Sequence, residues 1–342
     1  MISTTDSHKI LFFLILAGVS FTACEQDEVL ETTGNGQIAI IPELSGIYAT
    51  VPGNWSSVRA IDHPYLKDNI INLPEGTTLR LIAQKDNEPP TTKDYVVRTP
   101  DGGSQSLYPC EIDNTTGEII KVSKDPLYLP SGTYTFSAIS PAHKYNGEIK
   151  ISNGESVIAN NKHWSQTAPT RIEIKAGDAS KVIPLNPLMQ LTARMTFTLK
   201  GDVENGVSSL SVMQDGIEID RIREGSITLN NVGDSIAAII TSNYNRIYIK
   251  EQDITTQEDK SLRGEICLLP IDNRPTPMTV ILNLMVNGVP TQFTYSIVNK
   301  ILYAGYSYDY TVNVKIKDNI TVANWQETSW STDVGGGTTV TR

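Results

Sequence analysis

Beyond the apolar N-terminus, the side chains that could act as bases, nucleophiles or metal ligands are few and scattered. His63, His143 and His163 stand alone, none at metal-ligand spacing from another. There is no His-Glu-x-x-His helix, no Gly-x-Ser-x-Gly elbow, no phosphate loop and no Cys-x-x-Cys pair. Asp and Glu are plentiful but dispersed. A glycosidase-like carboxylate pair is the one hydrolytic arrangement such a pattern leaves open, and solvated carboxylates on strand edges and loops are the plainer reading. Trp55, Trp164, Trp325 and Trp330 lie in polar, loop-like surroundings, where exposed indoles could stack on sugar faces. Cys110 and Cys267 lie far apart with no partner motif near either. Two separate thiols are the favoured reading, and a disulfide joining the two halves of the chain is the other. The pattern calls for no enzyme, no metal and no cofactor.

The charge balance narrows the partners. With 28 Lys and Arg against 38 Asp and Glu the net charge is −10. Nucleic acids and anionic membrane surfaces are recognised through basic patches, so neither is an expected partner. A composition of 39% hydrophobic and 19% charged residues supports packed domains over disorder.

One cysteine stands apart from this. The run from Ile10 to Leu16 follows His8 and Lys9, and small residues lead through Phe21-Thr22-Ala23 to Cys24. The run is shorter than the ~20 residues of a bilayer span and has the layout of a cleaved signal peptide. Its end resembles a bacterial lipobox, although Phe21 stands where an aliphatic residue is usual. On that reading Cys24 is acylated and becomes the anchored N-terminus in the outer membrane, each buried CH2 contributing about 0.8 kcal/mol. An ordinary signal peptide with an incidental cysteine is the alternative. Glu25, Asp27, Glu28 and Glu31 follow, and no Lys or Arg occurs from Ile10 through Val58. Such an acidic leash stays extended and hydrated. It is similar to the surface-export signal of some bacterial lipoproteins and favours display at the cell surface.

The rest of the chain reads as antiparallel strands. Ile38-Ala39-Ile40-Ile41 opens it. Leu79, Leu81 and Ala83 alternate with Thr78, Arg80 and Ile82 after the turn Pro74-Glu75-Gly76, and Tyr134, Phe136 and Ala138 share a face after Pro130-Ser131-Gly132. In "LTARMTFTLK" Leu191, Ala193, Met195, Phe197 and Leu199 form an apolar face opposite Thr192, Arg194, Thr196, Thr198 and Lys200. Asn287-Gly288 between two strand-like runs is a strong hairpin signal. In "YSYDYTVNVKI" Tyr306, Tyr308, Tyr310, Val312, Val314 and Ile316 share the core face, with Ser307, Asp309, Thr311, Asn313 and Lys315 opposite. Short helical turns are expected only at Leu188 to Arg194 and Asn299 to Ala304. About 300 folded residues suit two domains, with the boundary in the proline-punctuated stretch Val182 to Pro187. The predicted organisation is a signal peptide at 1–23, an acidic polar tether at 24–36, and β-sandwich domains at 37–185 and 186–342. The second carries a terminal strand and a Gly-rich tail.

Four stretches together resemble the fimbrillin-like family, the surface subunits of type V pili. They are Phe21–Cys24, "YLPSGTYTFSAISP" (128–141), "NPLMQLTARMTFTL" (186–199) and "YSYDYTVNVKIKDNITVANWQETSW" (306–330). The resemblance implies an all-β fold of two tandem transthyretin-like sandwiches and export as a lipoprotein. It also implies removal of the N-terminal segment by a surface protease specific for Arg or Lys. The lost strand leaves a groove that an extended strand of another subunit fills by β-augmentation. Arg59 is the first basic residue available for such a cut. Ile38 and Ile40 would belong to the strand that is lost, and Ile320, Val322 and the C-terminal region to the strand that is given. Expected partners are other pilus subunits, the outer membrane through the lipid anchor, and a host or bacterial surface ligand. The Gly-rich end, Gly335 to Arg342, is poor strand material, so a tip or accessory place is as open as a stalk place. Asp234-Ser235-Ile236 matches a bacterial O-glycosylation acceptor at Ser235, with a turn entering a strand as the plainer reading. The competing function is a monomeric surface lipoprotein that binds glycan through its tryptophans.

Overall fold

Short segments of alternating apolar and polar residues, cut by Gly, Pro, Asn and Asp, satisfy their backbones only by pairing with one another. In the computed structural model nearly every described segment does so. Residues 36–48, 51–52, 70–100, 103–114, 116–143, 148–152, 164–230, 239–298, 301–318 and 320–328 are described.

The first half supplies β1 (Gln37–Leu44), β2 (Ile47–Tyr48), β3 (Val51–Pro52), β4 (Ile70–Ile71), β5 (Thr78–Lys85), β6 (Thr91–Arg98), β7 (Ser106–Ile112), β8 (Ile119–Val122), β9 (Leu127–Pro130), β10 (Gly132–Ser140), β11 (Glu148–Ser152), β12 (Ser165–Thr167), β13 (Thr170–Ile174) and β14 (Ser180–Leu185). The second supplies β15 (Leu188–Gln190), β16 (Ala193–Gly201), β17 (Leu210–Asn230), β18 (Ile239–Ile249), β19 (Ile254–Thr256), β20 (Leu262–Leu268), β21 (Ile271–Asp272), β22 (Met278–Val286), β23 (Val289–Ile297), β24 (Ile301–Leu302), β25 (Tyr306–Lys317) and β26 (Ile320–Thr328). The one helical element among the described residues is the 3-10 turn Glu251–Asp253.

A three-stranded sheet, β14-β1-β9, faces a larger one running β4-β2-β15-β12-β10-β5-β6-β7-β8, with β13 also on β10. Between them lies a core of Ile38, Ile40, Leu79, Leu81, Tyr95, Leu129, Phe136 and Ile183, among others. The second pair of sheets is β11-β17-β22-β23, with β18 on β17, and β19-β20-β16-β25-β26, with β3 on β25. Met195, Phe197, Ile217, Leu282, Tyr308 and Val312 belong to its core, which also takes in Ile82, Ile139 and Trp164 from the first half. Strands β3 and β11, early in the chain, thus complete sheets built mainly from late strands.

The β22–β23 hairpin shows how local chemistry sets register. Asn287 and Gly288 both take positive φ, 51° and 77°, as a two-residue type I′ turn requires. The Asn287 side chain then fastens the turn to its neighbour. Its Oδ1 accepts from the Ser208 and Ser209 N–H groups at 2.8 and 3.0 Å, and its Nδ2 donates to the Gly206 carbonyl at 2.7 Å.

Three local expectations change. Leu188 to Arg194 forms β15 and the start of β16, and the described part of Asn299 to Ala304 contains β24, because cross-strand partners are available to both. Trp164 is buried at 6% exposure and is no surface platform. The polar faces of β16 and β25 are also covered near the strand starts: Thr196, Ser307 and Asp309 are buried, as is Thr192 just before β16. Arg194 Nε donates to Ser307 Oγ at 3.0 Å, and that hydroxyl donates to Asp309. Burial is the main cause that pushes the Asp309 carboxyl up from the ordinary carboxylate range.

Candidate strand-exchange site

β1 occupies the middle of its small sheet. Ala39 to Leu44 run parallel to Ser180 to Leu185 of β14, while Gln37 to Ile40 run antiparallel to Pro130 to Leu127 of β9. Among the described residues neither β9 nor β14 pairs with any other strand. The sheet therefore exists only through β1, and without it two facing edges would stand about two strand spacings, roughly 10 Å, apart. Ile38 and Ile40 project into the core and are 2% and 0% exposed. Each such side chain contributes about 1.5–3 kcal/mol through burial.

Backbone direction is set by one bond. The Ala39 N–H donates to the Ala179 carbonyl at 3.4 Å, so odd positions of β1 turn their polar groups toward β14 and even positions toward the β9 side. Where β9 leaves β1, the Tyr95 hydroxyl closes the ladder. It donates to the Ile40 carbonyl at 3.4 Å and accepts from the Leu127 N–H at 3.1 Å. Burial pushes its pKa up to about 12.

Past Ile40, β1 has no strand partner on the β9 side among the described residues. A cleft of about 500 Å³ borders this stretch, lined by Ile41 to Ser45 of the first strand and its exit, Pro184 and Leu185 of β14, and Leu73, Val97 and Ser104 to Leu107. Gln105 stiffens that wall by bonding both backbone groups of Leu73, accepting from its N–H at 3.0 Å and donating to its carbonyl at 2.6 Å.

The segment expected to be given, β26, is an edge strand among the described residues. It pairs antiparallel with β25 from Ile320↔Lys317 to Thr328↔Asp309 and with nothing on its other side among the described residues. Val322 is half-buried, and Ala323 and Trp325 are the positions packed against the core. The Trp325 ring stacks on Tyr295 of β23 at 4.5 Å and meets Phe197 edge-on at 6.5 Å. This contact joins the edge strands of two sheets. It also occupies one face of the indole.

Cys24, Arg59, Ser235, Trp55 and Trp330 lie outside the described residues, as do His63 and His163. His143 packs 5.7 Å from the Trp164 ring. Cys110 and Cys267 are separate buried thiols. Burial raises both pKa values, that of Cys110 to about 11, which leaves them poor nucleophiles. No cluster of three or more His, Cys, Asp or Glu suited to a metal occurs among the described residues, and no helix there is long and apolar enough to cross a membrane. The part of Tyr95 at the β1–β9 fork was not readable from the sequence, since "DYVV" has no local feature that marks its hydroxyl.

A family model described as fimbrillin-like matches residues 37–334, and the chain belongs to that family. It is similar to the crystal structure of a candidate cell adhesion protein from Bacteroides fragilis. That match has 33% identity and a TM-score of 0.73, and covers 87% of this chain and all of the other. A candidate cell adhesion protein from Bacteroides uniformis matches at 12% identity and a TM-score of 0.49, over 87% of this chain and 99% of its own. Comparison with curated proteins gives no match.

Proposed function

We propose that this chain is a non-catalytic, surface-exposed adhesin-like subunit of a fimbria. It is exported as a lipoprotein on Cys24, built as two tandem transthyretin-like domains meeting near residue 186, and assembled by strand exchange with other subunits. The observation that carries this reading is the place of β1, since the first strand of the described residues is, among them, the sole partner of both its neighbours. A cut at Arg59 would sever the segment carrying β1, β2 and β3 from the rest of the chain, and once β1 leaves, an extended strand from another subunit would restore two rows of hydrogen bonds and fill the places of Ile38 and Ile40. Family membership and the adhesion description of the B. fragilis neighbour support a surface adhesive role.

Limited proteolysis with an Arg-specific enzyme, followed by electrophoresis after mild detergent heating, tests the proposal. The cut chain should give oligomer ladders that the intact chain lacks and that disappear when 320–328 are deleted. A cut chain that stays monomeric, or ladders indifferent to both changes, would overturn it.

A further inference from the structure

We infer that the cleft beside Ile41 to Leu44 is the foothold from which the strand Ile320–Thr328 of a second copy begins to replace β1. This rests on the strand-exchange reading above. A strand paired on both flanks has no edge to attack, and that is the condition of β1 at Ala39 and Ile40. From Ile41 to Leu44 it pairs, among the described residues, with β14 alone. There the even positions, Pro42 and Leu44, turn their backbone groups away from β14, Pro42 offering an acceptor only. The cleft touches Pro184 and Leu185 as well, so a segment seated in it already meets the strand it must finally pair with. Leu73, Val97 and Leu107 give it an apolar wall.

Four residues of extended chain span about 13 Å, enough to engage this open stretch before any bond of β1 is lost. Full departure of β1 would expose Ile38, Ile40 and two strand edges at once. Replacement from the open end trades each contact for a new one in turn. The occupant fits on two grounds: among the described residues β26 is held along one edge only, and Ile320 to Gln326 carry no charge that an apolar wall would have to desolvate.

The test uses the full chain with a protease site inserted in 53–69, cut there, so that it does not depend on Arg59. Release of the N-terminal fragment is followed while a synthetic peptide of residues 320–328 is added. Release should accelerate with peptide concentration. Ser106→Trp, on the exposed rim, should lower the acceleration by peptide, taken as the ratio of release with and without peptide in the same variant, about tenfold or more, with Ser104→Trp as the second variant if the first misfolds. A release rate independent of both peptide and cleft filling would show that β1 departs first and would overturn the foothold. A fragment that never leaves and a peptide that never binds would overturn strand exchange itself.

Discussion

β1 and β26 are strands of nearly equal length, eight and nine residues, in opposite situations. β1 is paired on both flanks, parallel to one neighbour and antiparallel to the other, with Ile38 and Ile40 sealed in the core. β26 is paired on one flank and covers the core with Ala323 and the rim residue Trp325. Removing the first opens a groove, whereas lifting the second only uncovers the next strand, β25. On the proposed exchange, the difference puts the driving force on the acceptor side. An empty β1 groove leaves two unpaired edges and two apolar sockets, a far larger deficit than a vacated edge.

The comparison can be broken by substitution. Ile40→Ala should lower stability in urea unfolding by about 2–5 kcal/mol, through lost burial and the cavity left in a close-packed site. A loss under 1 kcal/mol would mean that β1 is not the tightly held strand described. The next effect comes from pH. The folded pKa of Tyr95 lies above its unfolded value of about 10, so its contribution is complete below pH 10 and is lost as pH rises toward 12. The total is roughly 2–3 kcal/mol by linkage. Tyr95→Phe should abolish that alkaline slope and cost about 1–3 kcal/mol at neutral pH, because it orphans the Leu127 N–H and the Ile40 carbonyl. Trp325→Ala should cost about 1–2 kcal/mol, below the usual large-to-small loss because the ring is half exposed. Val322→Ala should cost less than about 1 kcal/mol. Should either β26 substitution destabilise more than Ile40→Ala, the two strands would have been ranked in the wrong order.

Much of this contrast is local and hence legible in the sequence. Ile38 to Ile41 announce a strand, Asn287-Gly288 announces its hairpin, and the tyrosine row of β25 lies in phase with its valines and in the core. What alternation does not reveal is which other elements arrive to pair or to cover. Ile40 meets Lys181 in β14, a partner from a distant part of the chain with no sequence signal between them. Ser307 and Asp309 read as a solvent face and are buried, because burial of a second face depends on what lies over it. Trp164 and the segment Leu188 to Arg194 mislead for the same reason: tertiary partners override polar surroundings and weak local turn preference.

The most direct measurement pins β1 in place. Gln37 and Pro130 are exposed partners at the end of the β1–β9 ladder, and odd positions of β1 turn their backbone groups away from β9. The pair is thus of the non-hydrogen-bonded kind, with Cα atoms about 4.5 Å apart, close enough for a disulfide. Gln37→Cys with Pro130→Cys should give a chain that, oxidised and cut after β3, makes no oligomer ladder and, once reduced, assembles as the wild type does. Equal ladders from the oxidised and reduced forms would contradict the claim that β1 must leave for the subunit to assemble.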